Sequence, residues 1–131
     1  MMKLAAAFGV SAVTMLALDA LWIGVLAKAM YQDGIGHLMA PRANVAAAVA
    51  FYLVYLSGVM FFAVVPSEDG GSLKAAALGA AFGFVAYATY DLTNMATLKD
   101  WPLGVTLADL CWGTFITATT AAAGKWALDR F

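Results

Sequence analysis

Long apolar runs alternate with short polar breaks along this chain. The runs are Leu4–Ala27, Asn44–Val65, Leu73–Leu98 and Pro102–Ala127. A helix rises ~1.5 Å per residue, so ~20 apolar residues cross a hydrocarbon core of ~30 Å, and each run is long enough. None shows the strict alternation of a barrel strand. A helix also satisfies its own backbone in lipid, where water is absent. The pattern therefore predicts an all-α fold: a four-helix transmembrane bundle with both termini on the same side.

The breaks carry turn chemistry. Pro66-Ser67-Glu68-Asp69-Gly70-Gly71-Ser72 reads as a turn, with Ser72 the expected N-cap of the third helix. Lys99-Asp100-Trp101-Pro102 reads as a tight turn, with Pro102 at the first position of the fourth helix. The segment Lys28–Arg42 mixes Tyr31, Asp33 and His37 with Met30, Ile35, Leu38 and Met39, as expected of a stretch lying along the membrane interface. No linker or low-complexity tract divides residues 1–131, so a single integral membrane domain is expected. The first apolar run is longer than a typical signal-peptide h-region, and no clean A-x-A site follows it, so no cleavable signal is expected. The terminal side carries Lys3, Lys74, Lys125 and Arg130 against Lys28, Arg42 and Lys99 opposite. This small excess points to termini in the cytoplasm.

Composition agrees with lipid as the solvent. The chain is 64% hydrophobic and 11% charged, against ~25% charged in soluble domains; its mean hydropathy is +0.85. A net charge of −1 with no dense basic patch excludes a nucleic-acid partner. The lone Cys111 allows no internal disulfide and is expected to be a small buried apolar residue.

Against this background three aspartates stand out: Asp19 in LALDALWIGV, Asp91 in YATYDLTNMATL and Asp109 in GVTLADLCWGTF. A carboxylate in hydrocarbon costs ~2.5–3.5 kcal/mol on insertion scales. Asp19 lies nine residues before Lys28, Asp91 eight before Lys99, and Asp109 seven after Pro102. Alternating helix direction then sets all three at one depth, roughly 10–14 Å below the same face. In the third helix Gly79, Gly83, Tyr87, Tyr90, Asp91, Asn94 and Thr97 share an arc at ~100° per residue. Asp109, Gly113, Thr117, Thr120 and Gly124 form a matching stripe in the fourth. The small residues predict close helix packing. Phe51, Tyr52 and Tyr55 suggest an aromatic wall in the second helix.

The candidate ligand- or proton-binding residues are therefore Asp19, Asp91, Asn94 and Asp109. Trp22, Tyr87, Tyr90, Trp112 and His37 are supporting candidates. The bland alternative is that the aspartates bond neighbouring helices or pair with snorkelling Lys28, Arg42 or Lys99, and that Trp22, Trp101 and Trp112 pack or anchor at the interface. Three carboxylates with Asn94 have the oxygen chemistry for a hard cation. One histidine and one cysteine are too few for zinc, and no P-loop, H-E-x-x-H or G-x-S-x-G motif is present. No cofactor or resident metal is implied. Matches such as Asp19-x-x-Trp22 with Asp109-x-x-Trp112 are too few to establish an internal repeat.

The segments LDALWIG, FYLVYLSGVMFFAVVP, GAAFGFVAYATYDLTNMATLKDWP and DLCWGT resemble, nearly end to end, an uncharacterised family of small bacterial membrane proteins classed as a domain of unknown function. The stretch YATYDLTNMATLKDWP is the most specific. The resemblance implies a multi-pass protein of the bacterial inner membrane and assigns no activity. The leading functional expectation is a polar intramembrane site handling a small molecule, cation or proton. A lipid- or isoprenoid-acting enzyme and a structural or assembly subunit are the alternatives, with the balance away from catalysis. Chains this small need a partner to enclose a pathway, so a homo-oligomer in the lipid bilayer is expected.

Overall fold

The computed structural model describes residues 1–131 and is helical along most of its length, with no strand. Five α-helices carry it: α1 (Met2–Leu21), α2 (Lys28–Ile35), α3 (Val45–Val59), α4 (Gly71–Thr97) and α5 (Leu103–Arg130). π-helical turns at Trp22–Leu26 and Met60–Val64 extend α1 and α3. With these extensions, α1, α3 and α4 are each long and apolar enough to cross a membrane. α5 has the length but is more polar, because threonines and small residues replace the large aliphatics of the other helices.

That difference has a packing cause. α5 lies against both α4 and α1. It buries twelve residues, among them Thr106, Thr117, Thr120 and Gly124, so one broad face of it meets protein, and there small side chains replace bulky ones. The remaining helix faces are turned outward. Val13, Leu16, Val54, Phe61, Val85 and Phe115 are exposed, a surface that only an apolar solvent covers without penalty.

Glycines set the closest approach. A Cβ on Gly83 would stand 2.2 Å from the Gly113 carbonyl oxygen, and one on Gly79 would stand 2.7 Å from that of Thr117. A Cβ on Gly124 would meet Ser11 Oγ at 2.2 Å. The α5 stripe predicted from sequence, Asp109 to Gly124, is buried throughout, whereas of the arc predicted in α4 only Gly79, Gly83 and Asp91 are. Tyr90 and Thr97 on that arc are exposed.

Three local expectations are corrected. The segment after α1 contains a helix of its own, α2, seated where Gly34 brings its backbone against Val105 and Pro102. Ser72 caps nothing: α4 begins at Gly71, whose φ of +60° is open to glycine. Cys111 is exposed on α5. One cap is formed by a residue that the sequence placed only at a helix start: Asn44 accepts from the Ala47 N–H at 3.0 Å.

Candidate polar site

Asp19, Asp91 and Asp109 all turn inward, at 6%, 0% and 6% exposure. They come from α1, α4 and α5, and each meets different surroundings. Asp19 is fully served. The Tyr52 phenol donates to Oδ2 at 2.8 Å, and the Trp112 indole N–H donates to Oδ1 at 3.2 Å. Three helices are tied at this carboxyl.

Asp109 receives the Tyr31 phenol on Oδ1, and Tyr31 Oη in turn accepts from the Trp22 indole N–H at 2.9 Å. The π turn that closes α1 begins at Trp22 and precedes α2, so the chain folds back and Tyr31 reaches Asp109. Burial, and then the bond to Asp109, push the Tyr31 phenol well above its ordinary range. Tyr31 is therefore held as a neutral donor.

Asp91 differs from both. Its carboxyl adjoins that of Asp109 and the Trp101 indole, yet neither oxygen has a hydrogen-bond partner. Buried polar atoms are nearly always paired, so a wholly buried side chain with both acceptors free is an exception that needs an explanation. Trp101 spends its N–H on Thr106 Oγ1 at 3.0 Å.

The two partnered branches meet through their indoles. Trp22 and Trp112 stack with centroids 4.5 Å apart and planes 4° from parallel. An indole N–H donates and accepts nothing, so this chain of bonds fixes positions but passes no proton from Asp19 to Asp109.

A cavity of ≈ 440 Å³ lies beside Asp109. Its polar wall is Lys28, Tyr31, Gln32, Tyr90, Trp101 and Asp109; Ile23, Ile35 and Met39 supply the apolar part. Pockets of ~300–1,000 Å³ hold small molecules.

The other candidates spread around this centre. Tyr87 is half-buried over Gly113, edge-on to Tyr55 at 6.3 Å. Tyr55 is bonded to Thr117 Oγ1 at 2.8 Å. Asn94 is half-buried beside the Tyr90 phenol and bonds none of the aspartates. His37 is exposed on the turn after α2 and stands outside the cavity lining.

Two further expectations are corrected. Lys28, Arg42 and Lys99 pair with no aspartate: the one ion pair within 4 Å is Lys125–Asp129, near the C-terminal end of α5. Nor do three carboxylates converge on a point where a cation could sit, because the stacked indoles and Tyr31 lie between the branches. The tryptophans also do more than pack, since each of Trp22, Trp101 and Trp112 donates a hydrogen bond. Sequence reading left Tyr31 and Tyr52 out of the candidate site. Their signal was slight: phenols on an interfacial segment and on an apolar helix, both within reach of the carboxylate level.

No curated protein and no solved structure matches this chain. One family model does, over residues 4–126, nearly the whole length. The chain is thus a membrane protein of an uncharacterised family, and it belongs to the one described as "Predicted membrane protein (DUF2177)".

Proposed function

We propose that this is a four-span inner-membrane protein, termini in the cytoplasm, with a one-sided polar site that binds a small molecule or a proton at Asp91 and Asp109. The carrying observation is the contrast between carboxyls. Asp19 has a donor on each oxygen, as expected of a group that holds helices together. Asp91 has none, and it adjoins Asp109, which lines a cavity. Two adjoining carboxyls disfavour double ionisation, so a proton or a bound ligand would be shared between them.

The site is one-sided. Beyond Tyr55 and Thr117 the α4–α5 contact closes at Gly79 and Gly83. A route through the monomer would have to pass that contact, which argues for binding from one face over conduction. α5 is assigned as the fourth span on its length and on its place between α1 and α4.

The apolar wall of Ile23, Ile35 and Met39 supports a second reading. A lipid or isoprenoid could enter there and meet Asp91 and Asp109 as general acid and base.

Asparagine variants at Asp19, Asp91 and Asp109 test the site, each read by detergent melting temperature and by complementation of a deletion strain. Asn keeps hydrogen-bonding capacity but cannot ionise. Asp91→Asn is expected to melt as the parent and fail to complement. Full complementation by all three would overturn the site and favour a structural or assembly subunit.

A further inference from the structure

The cavity beside Asp109 has a chemical character of its own. Two carboxyls meet at its wall and neither forms an ion pair: Asp109 lines the cavity and Asp91 adjoins Asp109. Lys28, the one basic residue in the lining, is exposed and forms no ion pair. Asp33, on the same short helix, is exposed as well. Both acceptor oxygens of Asp91 are unpartnered at 0% exposure. Three aromatic side chains, Tyr31, Tyr90 and Trp101, complete the polar wall, with Tyr90 edge-on to Trp101 at 6.0 Å.

Unpaired buried acceptors call for a donor, uncompensated carboxyls for a positive one, and aromatic faces attract cations. A protonated primary amine brings three N–H donors, a quaternary ammonium none, and an alcohol one. The apolar residues and the ≈ 440 Å³ volume suit a short hydrocarbon group on that amine. Resting on the site reading above, we propose that the cavity binds a small lipophilic primary amine, its ammonium set against Asp109, whose carboxyl adjoins the unpartnered Asp91, and its apolar group against Ile23, Ile35 and Met39.

Saturable binding of radiolabelled n-octylamine to the full chain in nanodiscs, with empty nanodiscs subtracted, tests this. One site per chain is expected. Unlabelled octanol, octanoate and octyltrimethylammonium should each compete at least ~10-fold more weakly than octylamine, a difference of ~1.4 kcal/mol or more. Asp91→Asn and Asp109→Asn should each weaken binding at least ~10-fold, whereas Glu68→Gln, on the loop between α3 and α4, should bind as the parent. Ile23→Trp fills the cavity without touching a carboxyl, and it should abolish binding at unchanged melting temperature, which keeps the test decisive if an aspartate variant misfolds. Equal competition by octanol would overturn the ammonium requirement. Absence of saturable binding in a parent protein whose Asp91→Asn variant fails to complement would overturn the amine and leave the site standing. Full complementation by all three asparagine variants would overturn the site itself.

Discussion

Trp22 and Trp112 lie face to face, centroids 4.5 Å apart, and their indole N–H groups point into different halves of the same polar cluster. Trp22 serves Tyr31 and so Asp109; Trp112 serves Asp19. The stack couples the end of α1 to the middle of α5 and keeps the two carboxylate branches apart.

Trp112→Phe should keep most of the stack and remove one of the two donors to Asp19. A buried carboxylate that loses a donor costs ~1–3 kcal/mol. Trp22→Phe should cost less, because Tyr31 still donates to Asp109 without it. Melting temperatures of the two variants in one detergent give the order, and equal losses would show that stacking, not the N–H, carries the energy.

The α4–α5 contact should reject any side chain at its glycines. Gly83→Leu and Gly79→Leu are expected to cost ~1–3 kcal/mol by overpacking, with Gly83 the worse, since the nearest obstacle is backbone at 2.2 Å against 2.7 Å. Gly9→Ala is the contrast: nothing lies within 4 Å of a Cβ there, so helix propensity predicts a gain of ~0.5–1 kcal/mol. Unchanged melting of both leucine variants would mean that this face is not packed.

Tyr31→Phe should destabilise the protein at neutral pH by removing the hydroxyl between Trp22 and Asp109. The sign of the pH effect follows from the raised phenol. Above its ordinary value of 10.0, the unfolded chain loses the proton and the folded chain keeps it, so stability falls as pH rises. Phenylalanine lacks that dependence. The gap between parent and variant should therefore narrow above pH 10, as read from melting curves between about pH 9 and pH 11 (~1 unit either side of the ordinary phenol value). A gap that stays constant or widens would contradict a buried, neutral Tyr31.

Reporter fusions at Phe131 should behave as cytoplasmic, and a tag within Gly34–His37 should be reached from outside. The reverse pattern would turn the cavity toward the cytoplasm and make its ligand an intracellular one. Termini on opposite sides would remove α5 as a span.

The sequence by itself determined the solvent and the helices. Hydrophobic runs and turn residues act locally, so α1 and α3 with their π-helical extensions, and α4 and α5, begin and end within a few residues of where the pattern puts them. Helical phase is also local, and it was enough to foretell the buried glycines of α4 and the stripe of α5. What hydropathy measures, however, is the surrounding medium, not the neighbour. It could not separate Asp19, which has two donors, from Asp91, which has none, because those donors lie 33 and 93 residues away. Tyr31 meets Asp109 across 78 residues, through a π turn and a docked α2 that no periodicity announces. Cys111 and His37 are likewise decided by rotation and docking: one is exposed and the other lies outside the cavity. Local preference sets where each helix runs, but the pairing of polar groups depends on how the helices turn against one another, and only tertiary packing fixes that.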